Sequence, residues 1–92
     1  MQITVKLFGE LEKMAGTREI KISISKGDTV DTVFLKLSRR YPKIVESLLD
    51  PITGEIAGGY EVLLNGRRPK EGLYTKLKNR DELSLVPKPA TG

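Results

Sequence analysis

The sequence predicts a small α+β domain in which one main helix packs across a mixed β-sheet. Three observations predict this class. Two segments with alternating apolar residues lie close together near the N-terminus, one amphipathic segment follows them, and further alternating segments come late in the chain. The 92 residues suffice for one hydrophobic core and leave no room for a second domain.

The first two predicted strands have the period of two that is typical of half-buried strands. The residues expected to point inward are Ile3, Val5 and Leu7 in QITVKLF, and Ile20, Ile22 and Ile24 in REIKISI. Phe8 falls on the polar side of this alternation. Because little chain separates the two strands, we expect an antiparallel pair, joined by a short polar turn or helical piece that closes at Gly16.

The segment SKGDTVDTVFLKLSRRYP predicts the main helix. Thr29 or Asp28 can cap its start, and Pro42 marks its end. Its apolar residues are spaced by three and four, so they form one stripe: Val30, Val33, Phe34, Leu37 and Tyr41. We expect this stripe to lie across the first two strands, with Phe34 in the core.

Three further elements follow the main helix. KIVESLLD predicts a short helix, PITGEIAGGY a loop, and YEVLLNG a third strand in which Val62 and Leu64 point inward. Asn65 and Gly66 after it are a strong signal for a tight hairpin turn. The last strand passes through Leu83 and Leu85.

This order of elements predicts the ubiquitin-like β-grasp layout, in which the last strand lies parallel to the first in the middle of the sheet. Pro87 and Pro89 cannot donate ladder hydrogen bonds, so we expect strand pairing to stop near Val86. The expectation is a β-grasp domain over residues 1–86 and a flexible, protruding C-terminal tail over residues 87–92, which could reach roughly 20 Å when extended.

Composition limits the chemistry of the chain. Cysteine and histidine are both absent, which excludes disulfides, thiolate metal sites, a cysteine nucleophile and the commonest general base. We therefore expect no catalytic residue of its own and no bound cofactor or metal. No apolar stretch approaches the ~20 residues of a membrane span, and the N-terminus lacks the layout of a signal peptide, so the expectation is a cytoplasmic protein without a membrane partner.

The chain is basic, with a formal net charge of +4 and a pI near 9.5. Its later cations are interspersed with Glu71, Asp81 and Glu82, and only three tyrosines are available for stacking on bases. This mixed pattern favours a solvated surface without a nucleic-acid partner. The alternative is a basic patch that helps to dock an acidic protein partner.

Four segments, taken in order, resemble the MoaD family: VKLFGELEKMAGTREI, LLD, YEVLLNGR and LKNRDELSLVPKPATG. These are small ubiquitin-like sulfur carriers of molybdopterin synthesis, related to ThiS and to archaeal ubiquitin-like modifiers. The resemblance runs almost from end to end. ThiS-type carriers are less similar, because they tend to be shorter and lack the connection YPKIVESLLDPITGEIAGGY.

The resemblance implies a carrier whose C-terminal glycine carboxylate, here that of Gly92, is adenylated with ATP by an E1-like enzyme of the MoeB type. The carboxylate then becomes a thiocarboxylate and enters a MoaE-like large subunit of molybdopterin synthase as the sulfur donor. The partner-binding residues that this implies are Phe8, Val86, Pro87, Pro89, Ala90 and Thr91. For Phe8, ordinary packing against a neighbouring side chain is an equal alternative.

The end of the chain departs from the family pattern. Members typically finish on two glycines, whereas Thr91 precedes Gly92 here. Either one terminal residue is missing, or Thr-Gly is the native end, or the domain has lost sulfur transfer. Two other functions stay open: a protein modifier joined through Gly92 to lysines of other proteins, and a β-grasp interaction domain without this chemistry.

Overall fold

The fold is that of a computed structural model, which describes residues 1–88. In chain order its elements are β1 (Gln2–Leu7), α1 (Glu10–Ala15), β2 (Glu19–Ser23), α2 (Val30–Arg40), α3 (Pro42–Leu48), β3 (Tyr60–Leu64), a 3₁₀ turn (Gly72–Tyr74) and β4 (Glu82–Pro87). The predicted α+β class is confirmed, and the piece between the first two strands is the helix α1.

The four strands form one mixed sheet in the order β2-β1-β4-β3. β1 is antiparallel to β2 and parallel to β4, and β3 is antiparallel to β4. The last strand therefore lies beside the first in the middle of the sheet, which confirms the predicted β-grasp layout. As a result, β4 is held by hydrogen bonds on both of its edges.

The core lies between one face of this sheet and the helices. Among the predicted inward residues, those of β1 and β2 are all buried, and so are Leu83 and Leu85 of β4. On α2 the stripe from Val30 to Leu37 is buried, whereas Tyr41 lies at the helix end and is only partly buried. The two-residue and three-to-four-residue periods of the sequence thus identify most of the core, although Leu64, also expected to point inward, is only partly buried.

Thr29, not Asp28, is the cap of α2. Its hydroxyl accepts a hydrogen bond from the amide of Thr32, and the Thr32 hydroxyl accepts one from the amide of Thr29, which makes a reciprocal capping box. Asp28 instead accepts hydrogen bonds from the Ser25 amide at 2.9 Å and from the Lys36 ammonium at 3.2 Å.

The Asn65-Gly66 turn forms but starts no hairpin. Both residues have positive φ, 52° and 82°, as a type I′ turn requires, and Leu64 and Arg67 exchange backbone hydrogen bonds across it. The pairing ends there, because the chain continues into a loop through Pro69, which lacks an amide hydrogen. The strand partner of β3 is β4.

Strand pairing continues one residue beyond the predicted limit at Val86. Pro87 lies opposite Tyr60, and the next amide, that of Lys88, donates to the Gly59 carbonyl at 2.9 Å. That bond makes Tyr60 and Pro87 a non-hydrogen-bonded pair, so β3 requires no amide hydrogen from the proline. On the other side β1 has already ended at Leu7. The expected tail lies outside the described residues from residue 89 onward.

Candidate partner-docking site at the end of the last strand

The chain leaves the sheet between two glycine-containing turns. The Lys88 amide is bound to the carbonyl of Gly59 on the β3 side. On the β1 side a Cβ atom placed on Gly9 would lie only 3.3 Å from Cγ of Pro87. These two contacts fix the position at which residues after Lys88 begin.

The face of the sheet that turns away from the helices carries an apolar cluster beside this exit. Side chains alternate between the two faces along a strand, so Val86 points away from the core side on which Leu85 is buried. The β1–β4 register pairs Leu7 with Leu85, so Phe8 follows at the level of Val86. Phe8 is 38% exposed.

Leu63 completes this cluster. It lies opposite Ser84, and its neighbour Glu61 lies opposite Val86, so Leu63 and Val86 are diagonal neighbours on the same face. We call the three residues Phe8, Leu63 and Val86 the open-face patch.

Ion pairs flank the open-face patch. Lys6 Nζ lies 3.3 Å from Glu82 Oε1 between the two central strands, and Arg68 Nε lies 3.0 Å from Glu61 Oε1 at the β3 edge. An apolar centre with a charged rim is the usual composition of a protein-protein interface. The arrangement can bind a partner next to the point where the chain leaves the domain.

The predicted site residues do not all belong to the open-face patch. Val86 lies on the open face, and the β1–β4 register carries Phe8, the residue after β1, to the same level of the sheet. The side chain of Pro87 points to the opposite face from that of Val86 and lies close to Gly9. Pro87 is therefore next to the point where the chain leaves the sheet, but it is not part of the patch. The other predicted site residues, Pro89, Ala90, Thr91 and Gly92, lie outside the described residues.

Sequence reasoning missed Leu63. Val62 and Leu64 were assigned inward from the alternation of YEVLLNG, and the residue between them received no role. The same alternation contains the signal, because a leucine flanked by two inward residues of a strand must point to the other face. An apolar residue on that face is a candidate for a contact surface.

Among titratable groups of the described residues, Asp28 shows the clear perturbation, and it lies away from the patch. The hydrogen bond from the Ser25 amide, followed by that from the Lys36 ammonium, lowers the pKa of Asp28 below its ordinary value of 3.8. Within residues 1–88 no group of three or more acidic side chains is placed to hold a metal ion. None of the described helices is long and apolar enough to cross a membrane.

The sequence was also compared with known protein families and with solved structures. The family model of the ThiS family matches residues 5–92. That range includes the connection between α2 and β3. No curated protein matches the sequence.

Three solved structures illustrate the likeness. The small archaeal modifier protein 1 (SAMP1) from Methanosarcina acetivorans is 32% identical, with a TM-score of 0.83 over 99% of this chain and 96% of that one. SAMP1 from Haloferax volcanii is 26% identical, with a TM-score of 0.85 over 100% of both chains. A putative molybdopterin converting factor subunit 1 from Pyrococcus furiosus is 21% identical, with a TM-score of 0.76 over 95% and 97%, a likeness of fold alone.

Proposed function

Because the chain belongs to the ThiS family, we propose that it is a sulfur carrier protein and that it acts as the small subunit of molybdopterin synthase. In this role Gly92 supplies the reacting carboxylate. The large subunit of the synthase receives the sulfur, and an E1-like enzyme of the MoeB type activates the carrier with ATP. Since the activation uses ATP, we place the carrier in the cytoplasm.

The proposed reaction has two steps at the glycine carboxyl group. A carboxylate oxygen attacks the α-phosphorus of ATP, pyrophosphate leaves, and an acyl adenylate forms. A hydrosulfide ion then attacks the carbonyl carbon and displaces AMP, and loss of the S–H proton leaves a thiocarboxylate. The first step is needed because a free carboxylate has no good leaving group, and glycine leaves the carbonyl carbon unhindered by a side chain.

The position of β4 is the single observation that carries this proposal. The strand is paired on both edges and its end is fixed by Gly9 and Gly59. Residues 89–92 can span at most about 14 Å beyond it. A partner that binds the open-face patch would therefore have its active site within a short, defined distance of Gly92, and such positioning is a large part of catalysis.

A second candidate function is supported by the identity to the two SAMP1 proteins, 32% and 26%, which are named as modifiers. In that function the same activated Gly92 carbonyl is attacked by a lysine amine of another protein, and an isopeptide bond forms. Both functions need the adenylate. They differ in the acceptor.

Intact mass spectrometry of the chain purified from its own cells tests the proposal first. It reads the C-terminus directly and shows whether Gly92 or a further glycine is last. The chain is then incubated with the adenylating enzyme, ATP and a sulfur source. We expect a mass gain equal to one sulfur replacing one oxygen, and subsequent loss of that sulfur to the large subunit and its pterin substrate.

A chain that lacks Gly92 is the matched control. All core residues among the described part lie at or before Leu85, so this deletion should leave the melting temperature within a few degrees of the parent while it abolishes thiocarboxylate formation. Lysine adducts in cells without sulfur transfer to the synthase would favour the modifier function. If the intact chain forms neither product, it is a β-grasp interaction domain.

A further inference from the structure

A concave surface of strong positive charge lies at the end of the sheet opposite to the exit of the chain. It has a volume of about 620 Å³ and lies where β3 ends and β4 begins. Its charged lining residues are Arg67, Arg68, Lys70, Lys76, Lys78 and Asp81. We call this surface the basic groove.

The fold concentrates a charge that is mixed along the sequence. Glu82 follows the cations closely in the chain, but its carboxylate pairs with Lys6 on the open face. Glu71 lies between them in the sequence and lines a neighbouring cavity. Of the three carboxylates that dilute the basic segment in the sequence, Glu82 is thus paired outside the groove and Glu71 is not among the residues that line it.

The third carboxylate, Asp81, is already engaged. Its Oδ1 accepts a hydrogen bond from the Asn65 side chain at 3.0 Å, and its Oδ2 accepts one from the Lys78 amide at 2.7 Å. Arg68 pairs with Glu61, and the other four cations of the groove form no ion pair with any residue of 1–88. Cations that share one surface repel one another, and an anionic ligand would relieve that repulsion.

The backbone under the cations is well fixed. The Asn65-Gly66 turn is closed by Leu64 and Arg67, and Asn65 is further held by the amide of Glu82 at 2.9 Å. On the other side of the groove Leu77 is buried with 4% exposure. Lys76 and Lys78 flank this anchor in the sequence and are both exposed, so they project on the outer side.

We propose that the basic groove binds an acidic segment of a protein partner, an extended stretch rich in aspartate and glutamate. The cations are long, exposed side chains spread along an open concavity, which suits several separate carboxylates better than one compact phosphate. No aromatic residue lines the groove among the described residues, so the stacking platform typical of single-strand binding is missing there.

The basic groove is independent of the proposed sulfur chemistry. β4 is six residues long, so its start at the groove lies roughly 17 Å from its end at the chain exit. An acidic segment bound at Lys76 and Lys78 leaves Gly92 accessible, although Arg68 belongs to both surfaces, because it lines the groove and pairs with Glu61 at the rim of the open-face patch. One partner could occupy the groove while another acts on the C-terminus.

Titration of the ¹⁵N-labelled chain with an oligoglutamate peptide, followed by NMR, tests this proposal. We expect shifts to cluster at residues of the groove. Lys76→Gln with Lys78→Gln should weaken binding about fivefold to tenfold. The matched control is Lys26→Gln with Lys43→Gln, which removes the same charge at two exposed positions elsewhere and should weaken binding less than about twofold.

Three results would overturn the proposal: an equal loss in both double variants, shifts centred on other surfaces, or an oligothymidylate that binds the groove more tightly than the peptide. The last would make the groove a nucleic-acid site. The chain without Gly92 should bind the peptide with unchanged affinity, so failure of the groove and failure of the sulfur chemistry are measured separately.

Discussion

Gly9 and Pro87 are 78 positions apart in the sequence, yet a Cβ atom on Gly9 would approach Cγ of Pro87 to 3.3 Å. Gly9 also has φ 63° and ψ −133°, a region that residues with a side chain rarely adopt. Glycine is therefore required here on two grounds. This contact places the start of α1 directly against the end of β4.

Gly9→Ala should lower the free energy of unfolding by about 2–3 kcal/mol. The backbone conformation is strained for a residue with a side chain, and the new methyl group is crowded by Pro87. The control is Gly16→Ala, where φ is 71° and no atom lies within 4 Å of the added Cβ. It should cost about 1–2 kcal/mol from the left-handed backbone alone. Urea denaturation measures both, and an equal cost would show that the approach of Pro87 contributes nothing.

Local patterns were enough to predict most of the fold. Alternation places Ile3, Val5 and Leu7 on one face of β1, and spacing by three and four places the apolar residues of α2 in one stripe. Both patterns follow directly from strand and helix geometry, so the sequence reveals them. The parallel pairing of β1 with β4 came from the order of elements. The pairing limit was one residue short, because a proline is tolerated at a position where neither neighbouring strand needs its amide.

The site was predicted only in part, for a different reason. Phe8 and Val86 stand out as apolar residues near the ends of their strands, whereas Leu63 is hidden in an apolar run. A basic patch for an acidic partner was only the alternative to a solvated surface, because the linear sequence mixes the cations of the groove with Glu71 and Glu82. Which charges share a surface depends on the turns between strands, and turns are not periodic.

The open-face patch should determine the affinity for the adenylating enzyme. We expect Phe8→Ala or Leu63→Ala to weaken binding about tenfold, because truncation of an apolar interface residue commonly costs more than 1 kcal/mol. Leu35→Ala is the control, since Leu35 is 58% exposed on α2, away from the patch. Calorimetric titration gives the affinities. Equal effects of all three substitutions would remove the patch from the interface.

The two phenylalanines should lose different amounts of stability on the same substitution. Phe34 is 1% exposed and is among the largest fully buried side chains, so Phe34→Ala should cost about 3–5 kcal/mol of stability. Phe8→Ala should cost less, about 1–2 kcal/mol, because Phe8 is 38% exposed and buries less apolar surface than Phe34. Urea unfolding measures both. A similar cost at Phe8 would favour ordinary packing as its role over docking.

Asp28 should make the stability of the domain depend on pH in the acid range. Its pKa in the folded state is lowered, first by the Ser25 amide and then by Lys36, below the ordinary value of 3.8. A lowered folded-state pKa means that the unfolded chain takes up the proton more readily. The stabilisation is therefore fully present above pH 3.8 and is lost as the pH falls through the folded-state pKa.

Three variants measured by urea unfolding across this range separate the causes. Asp28→Asn should be less stable than the parent at neutral pH, and the two should converge in acid. Lys36→Gln should keep the part of the pH dependence that comes from the Ser25 amide and lose the part that Lys36 supplies through its hydrogen bond and its charge. Glu46→Gln, at an exposed position on α3 without a side-chain hydrogen bond or ion pair to residues 1–88, should follow the parent at every pH. A constant gap between Asp28→Asn and the parent down to the acid limit would show that the carboxylate charge is not the source of the stability that Asp28 provides.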